Sequence, residues 1–243
     1  MNRILKPVAA TLLLLIPATA WAGPPYDTDD PEPTDLHHWE IYAFAAGDRI
    51  GGTTEGQTGI DLNYGGLPGV QLTTTLPLDY EAGAGTRIAR GDIEVGVKYR
   101  FLHREKEGFS VAIFPRLIVP TAGKGFGTGR VQALLPVWAQ KDMGPWSIFG
   151  GGGYTINPGP GNRDFWLGGL AVTRDVSRRL SLGAEMTRQG SDSVSAGGTT
   201  TLGAGGIWKL KAPFSILASA GPEWEDGRHS AGLHAYVALG LNF

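Results

Sequence analysis

The stretch that decides the fold closes the chain: Leu233-His234-Ala235-Tyr236-Val237-Ala238-Leu239-Gly240-Leu241-Asn242-Phe243. Counted backwards from Phe243, every second residue is apolar, whereas the residues between them are smaller or more polar. A period of two indicates a β-strand with one face toward an apolar phase and the other face toward water. Because a soluble sheet produces the same alternation, this strand alone does not distinguish a soluble domain from a membrane barrel.

The first residues have the pattern of an export signal. Arg3 and Lys6 supply positive charge, Val8–Ile16 is an apolar run, and Ala20-Trp21-Ala22 is a small-x-small cleavage site. This arrangement is typical of a secretory signal peptide. The apolar run is also shorter than the about 20 residues that a transmembrane helix needs. We therefore predict that residues 1–22 are a cleaved signal peptide and that the rest of the chain is exported.

If the chain is exported, its terminal residue is also a candidate signal for assembly into a membrane. A C-terminal aromatic that ends an alternating strand is a feature by which outer-membrane β-barrel proteins resemble one another. We therefore predict that Phe243 is the signal through which the barrel-assembly machinery recognises this chain. The expected location is the outer membrane of a Gram-negative cell, with outer-membrane lipids as partners.

The composition agrees with a barrel. Charged residues make up 18% of the chain, and its 38 glycines are about twice the usual share. The mean hydropathy is −0.08, which does not exclude a membrane barrel, because lipid-facing and lumen-facing residues alternate and average out. The chain has no cysteine, which excludes disulfides and thiolate metal sites. A formal charge of −2 argues against a nucleic-acid partner.

The clearest internal strand pattern covers Ile93 to Phe101. One face is wholly apolar, and the other carries acidic and basic side chains, including Glu94 and Lys98. In a soluble sandwich the apolar face would lie in the core, and in a barrel it would face lipid while the charged face lines a wet lumen. The export signal favours the barrel.

Similar segments recur along the chain. Short and longer connections alternate between them, as periplasmic turns and extracellular loops do in barrels, and Gly47 to Gln57 is predicted as one of the long loops. We predict an all-β fold: a transmembrane antiparallel up-and-down β-barrel of about 12 strands over residues 39–243, after an extended periplasmic leader over residues 23–38. The expected strands are Trp39–Ala46, Thr58–Tyr64, Val70–Leu78, Asp92–Leu102, Phe109–Val119, Arg130–Gln140, Trp146–Tyr154, Asp164–Thr173, Leu180–Arg188, Thr199–Lys209, Phe214–Gly221 and Ala231–Phe243.

Two groups of residues could carry chemistry. His37 and His38 follow an acidic run and could bind a divalent cation, but their spacing fits no defined metal loop. A solvated leader, or one tucked into the barrel mouth, explains this segment better. His229 and Ser230 have the residue types of a base and a nucleophile, yet adjacent residues on a strand point to opposite faces. We therefore predict no metal site, no cofactor and no enzymatic activity.

Five strings of the sequence resemble those of a known family: Gly23 to Pro33, His38-Trp39-Glu40, Gly96 to Phe101, Gly150 to Gly159 and Gly161-Asn162-Arg163. Through these strings the chain is similar, over most of its mature length, to bacterial outer-membrane transporters described as the MetA-pathway of phenol degradation family. The resemblance implies an outer-membrane barrel that is tied by name to the uptake of aromatic or other hydrophobic compounds.

The expected function is passive transport of a small-molecule solute. Charges that face each other across a lumen act as a selectivity field. Two alternatives remain: a closed structural or binding barrel, filled by its own side chains and the leader, and an outer-membrane lipid hydrolase. The predicted lumen-lining residues are Asp92, Glu94, Lys98, Arg100, Arg116, Gln132, Glu185 and Gln189.

Overall fold

The computed structural model describes residues 25–83 and 85–243. The predicted signal peptide over residues 1–22 lies outside this part of the chain. Nearly all regular structure is β-strand, with one short 3₁₀ turn over Glu105–Glu107. Within the described residues, no helix is long and apolar enough to cross a membrane. The strands are β1 (Trp39–Ile50), β2 (Thr53–Leu67), β3 (Val70–Ala82), β4 (Thr86–Arg90), β5 (Ile93–Arg104), β6 (Phe109–Ile113), β7 (Arg116–Val119), β8 (Gln132–Met143), β9 (Trp146–Ile156), β10 (Phe165–Ser177), β11 (Leu180–Gln189), β12 (Thr199–Lys209), β13 (Phe214–Glu225) and β14 (Gly232–Asn242).

These segments form a closed antiparallel barrel. β14 pairs with β1, so the first and last strands join and close the wall. Two strands of the wall are interrupted, so that each consists of two segments. β4 and β5 make up the first, and both pair with β3. β6 and β7 make up the second, and both pair with β5 on one side and with β8 on the other. The second break falls at Phe114 and Pro115, where proline has no N–H to donate to a ladder. Counted as a wall, the barrel has 12 strands, which confirms the predicted fold class.

The two faces of the wall differ in the way that the alternation predicts. On β5, Val97 is 41% exposed and Phe101 is 52% exposed on the outside, whereas Lys98 is 1% exposed on the inside. On β14, Val237 and Leu239 lie on the outer face, whereas His234 faces inward. The outer surface is therefore apolar and the interior carries the charged groups.

One segment that the sequence predicts as a long loop is mostly β-strand in the structure. The structure continues β1 to Ile50 and starts β2 at Thr53, so most of the segment from Gly47 to Gln57 is paired strand. The turn consists of Gly51 and Gly52, both with positive φ (60° and 88°), a conformation that glycine adopts without a Cβ penalty. Apolar alternation stops before this region because the hairpin extends beyond the apolar band, so the sequence pattern did not reveal it.

Candidate functional site: the barrel lumen

The lumen contains the N-terminal segment of the described chain. We call residues 25–36 the plug. At one end of the plug, Ser219 on the inner face of β13 donates its hydroxyl to the carbonyl of Pro25. At the other end, Leu36 forms a bridge with Gly65 near the end of β2. The segment predicted as a periplasmic leader is extended, but its described part runs inside the barrel up to the middle of the wall.

The wall supplies acceptors for the plug backbone. Glu185 on β11 accepts hydrogen bonds from the amides of Asp27 (3.1 Å) and Thr28 (2.9 Å). Gln71 on β3 accepts one from the amide of Thr34 at 2.8 Å. A segment inside a barrel cannot join the wall ladder, so its buried N–H groups need side-chain partners of this kind.

Ion pairs hold the middle of the plug. Lys98 Nζ lies 2.8 Å from Asp29 Oδ1 and 3.7 Å from Asp30 Oδ1. Arg100, two residues along the same face of β5, pairs with Glu32. The Lys98 side chain is 2% exposed, so its charge is removed from water and depends on the two plug carboxylates.

Among the cavities in the described part of the chain, three lie beside the plug. We name them by position, with the longer loops at the top. The upper chamber holds about 870 Å³ and is lined by residues that include Asp48, Glu55, Trp138, Gln189 and Glu223. The middle chamber holds about 280 Å³ and is lined by residues that include Tyr42, Phe44, Asp61, Phe114 and Tyr236. The lower chamber holds about 310 Å³ and is lined by residues that include Asp35, His38, Glu40, Phe214 and Asn242.

One group of side chains that lines the upper chamber has the residue types of metal ligands. His234 Nδ1 lies 2.6 Å from Asp48 Oδ1, and His234 Nε2 lies 3.6 Å from Asp27 Oδ1. Ligand atoms of Asp48, Glu223 and His234 lie within 4.8 Å of one another. Sequence spacing could not reveal this group, because its members come together only where β1 and β13 pair with β14.

The structure distributes the predicted lumen-lining residues over three roles. Glu94, Lys98 and Arg116 line the middle chamber, and Arg116 pairs with Glu94 at 3.2 Å. Gln189 lines the upper chamber. Glu185 and Arg100 bind the plug instead. The remaining two hold neighbouring chain segments: Asp92 accepts from the amide of Ala122, and Gln132 donates to Asn157. Their part in transport stays a prediction.

Of the residues considered for chemistry, His38 lines the lower chamber, whereas His37, His229 and Ser230 line none of the three chambers. His37 and His38 are exposed near the lower end of the barrel, where the His37 amide bonds to the carbonyl of Gly65. His229 and Ser230 are both exposed in the loop after β13. Among the described residues no hydrogen bond joins His229 to Ser230 or to a carboxylate, so the base–nucleophile arrangement is not assembled there.

Comparisons with known proteins agree on the fold. No protein-family model matches the sequence, and no curated protein matches it. An outer-membrane channel from Pseudomonas putida F1 superposes with a TM-score of 0.69 at 14% identity, over 90% of this chain and all (100%) of that one. The translocator domain of the autotransporter NalP from Neisseria meningitidis superposes with a TM-score of 0.56 at 10% identity, covering 84% of this chain and 87% of that one. The β domain of the Bordetella autotransporter BrkA gives 0.52 at 16% identity, covering 85% and 99%. At such identities the likeness concerns the fold, which is that of outer-membrane β-barrels.

Proposed function

We propose that this protein is an outer-membrane channel for the passive uptake of small molecules. The observation that carries the proposal is the arrangement of the three chambers, which follow one another down one side of the plug. Along β1, Asp48 and Ile50 line the upper chamber, Tyr42 and Phe44 the middle chamber, and Glu40 the lower chamber. A barrel filled only to stabilise its wall has no need of cavities in series.

The strand next to β1 supports the same route. On β14, His234 lines the upper chamber, Tyr236 the middle chamber and Asn242 the lower chamber. A solute would therefore move along the β14–β1 side, with the plug on its other flank. Side-chain contacts lie between neighbouring chambers, so passage would need these contacts to exchange and would not need the wall to open.

The two boundaries between chambers are made by identified contacts. Asp27 lines both the upper and the middle chamber and faces His234. Below the middle chamber, the Tyr42 hydroxyl donates to Glu40 Oε2 at 3.1 Å. Both boundaries are polar contacts between side chains, which a passing solute can exchange for its own hydrogen bonds.

The middle chamber also supports the aromatic or hydrophobic solutes that the sequence resemblance implies. The rings of Phe44 and Tyr236 lie stacked, with centroids 6.2 Å apart and planes 10° apart. Phe114 faces the same space. Aromatic walls with a few polar groups are typical of sites for small organic ligands. Membership of the phenol-degradation family itself stays a prediction.

A closed barrel is the second candidate. The ion pairs of Lys98 and Arg100 with the plug favour it, because such contacts hold the plug across the lumen. Under this alternative the chambers are separate voids, and the protein has a structural or binding role in the outer membrane. Insertion by the barrel-assembly machinery is expected under both readings.

Single-channel recording of refolded protein in planar bilayers separates the two candidates. The wild type should conduct weakly, and a variant that lacks residues 25–36 should conduct several-fold more, because the wall is complete from Trp39 onward. Lys106→Ala, an exposed change in the turn after β5, is the matched control and should leave the current unchanged. If the wild type folds, as heat modifiability shows, but does not conduct, the channel proposal is wrong, and conduction by the plug deletion alone would identify the closed barrel.

A further inference from the structure

Asp61 is a carboxylate inside the barrel whose hydrogen-bond partners are all neutral. It lies on β2 and lines the middle chamber. Its Oδ2 accepts from Asn63 Nδ2 at 2.9 Å, and its Oδ1 accepts from Thr75 Oγ1 at 2.8 Å. Neutral donors orient a carboxylate without cancelling its charge. No ion pair among the described residues includes Asp61.

The basic groups of the middle chamber are already engaged by other acids. Lys98 lies against Asp29 at 2.8 Å. Arg116 pairs with Glu94 at 3.2 Å and stacks over the ring of Phe114, whose centroid is 4.7 Å from Arg116 Cζ. Each of these two cations thus has a carboxylate in an ion pair, and Arg116 also interacts electrostatically with Asp61 at longer range. Asp61 is an additional negative charge with no ion pair of its own among the described residues, so the chamber can accept one more cation.

Aromatic rings stand beside this carboxylate. Tyr42 is the direct cross-strand partner of Asp61, so their Cβ atoms are about 5 Å apart. Phe44 and Tyr236, the stacked pair, line the same chamber. The face of an aromatic ring attracts ammonium groups, and the attraction strengthens where water is excluded. A carboxylate with aromatic neighbours is a suitable site for an organic cation.

The size of the chamber limits the ligand. Its volume is about 280 Å³, while a cavity of about 150 Å³ is enough to admit benzene. A molecule with one aromatic ring and a short aminoalkyl group therefore fits, whereas a second ring system would have to displace the plug.

We propose that the middle chamber binds a small organic ammonium ion, with Asp61 receiving the ammonium group and the rings of Phe44 and Tyr236 covering the apolar body. The proposal deepens the channel function and rests on it for its biological meaning. It names the solute class as small aromatic or alkyl amines in their protonated form. The binding itself does not depend on whether the bound ion passes through.

Calorimetric titration of the folded, full-length protein in detergent tests the proposal. The probes are benzylamine at pH 7, where it is protonated, and benzyl alcohol, its neutral counterpart of similar size. The wild type should bind the ammonium ion about tenfold more tightly than the alcohol. Equal affinities for the two probes would overturn the proposal, and this comparison needs no variant to fold.

Two matched variants locate the site. Asp61→Asn should abolish the preference for the ammonium ion. Asp142→Asn makes the same change at another inward carboxylate, which accepts from Gln140 Nε2 (2.9 Å) and Ser147 Oγ (2.6 Å) and does not line the middle chamber. It should keep the preference. An equal loss in both variants would mean that the general lumen charge, rather than Asp61, attracts amines.

Planar-bilayer currents separate this proposal from the channel function. Conduction without any difference between the two probes in calorimetry would leave the channel standing and remove the ammonium site. Selective binding of benzylamine without conduction would leave the site standing and remove the channel.

Discussion

Trp39 and Phe243 exchange two backbone hydrogen bonds, each donating its N–H to the carbonyl of the other, at 2.8 and 3.1 Å. The pair lies at the lower end of the β1–β14 seam and is the final contact that closes the barrel. The Phe243 ring itself is 58% exposed. The terminal residue therefore has two separable parts, a backbone that locks the seam and an exposed aromatic ring.

Deleting Phe243 and changing it to Ala should have different effects. Phe243→Ala keeps the backbone bonds, so the purified protein should refold in detergent as the wild type does. In cells its level in the outer membrane should fall sharply if the assembly machinery reads the ring. Deletion should impair both processes. Unchanged amounts of heat-modifiable Phe243→Ala protein in outer-membrane fractions would remove the signalling role from the ring.

A charge on the outer face of β5 should destabilise the barrel. Val97 is on the outside, so Val97→Arg should cost about 2–4 kcal/mol at mid-depth in a bilayer. Val97→Leu, an apolar change at the same position, is the matched control and should cost much less. Urea titrations of refolding into lipid vesicles measure both changes. If Val97→Arg cost no more than Val97→Leu, the assignment of Val97 to the outer face would be wrong.

Breaking the buried pair in the lumen should release the plug and spare the wall. Lys98→Met removes the cation that lies against Asp29 inside the barrel, and removing one partner of a buried pair costs about 3–5 kcal/mol. The wall ladder does not involve these side chains. The plug should therefore become accessible to added protease while the barrel keeps its heat-modifiable mobility.

A charge exchange supplies the control for this experiment. The double variant Lys98→Asp with Asp29→Lys restores one ion pair and should recover most of the protection of the plug. Protection in Lys98→Met equal to that of the wild type would mean that the ion pair does not hold the plug.

The upper loops should respond to acid through one carboxylate. Arg188 donates from Nη1 to Asp226 Oδ1 at 3.1 Å, and this bonding holds the pKa of the Asp226 carboxyl below its usual value. A depressed pKa means that the contact contributes fully above the ordinary value of about 4 and is lost as the pH falls through the lowered value. The loop after β13 should therefore stay anchored at pH 5 and loosen only in stronger acid.

A single spin label can follow this loop, because the chain has no native cysteine. With a label at His229→Cys, mobility should rise in acid for the wild-type background and show no acid transition with Asp226→Asn. The same transition in both backgrounds would assign it to another group.

Alternation was enough to predict the wall and its two faces. Alternation works because successive residues of a wall strand face an apolar and a polar environment in turn. In β5 and β14 the residue types follow this change position by position. It failed at Gly51 and Gly52, where the hairpin continues beyond the apolar band and both faces of the strands are polar. There the register is maintained by backbone pairing, which leaves no apolar pattern in the sequence.

The contents of the lumen could not be predicted in the same way. The plug has no periodicity, because its contacts are made one side chain at a time with different strands. Charge complementarity was the available signal, because the acidic plug residues Asp29 and Glu32 form ion pairs with the basic residues Lys98 and Arg100 on one inward face. The volumes and linings of the three chambers depend on how the plug fits against the wall, and no local sequence pattern encodes that fit.

The plug also imposes an order in time on the making of the barrel. It precedes β1 in the chain, yet its partners lie on strands as distant as β13, where Ser219 follows Pro25 by 194 positions. Its contact with Ser219 therefore cannot form until β13 has joined the wall, later than its contacts with β3 and β5 can form. We therefore expect assembly to reverse chain order for this segment: residues that precede every strand of the wall complete their contacts only when the wall is nearly built.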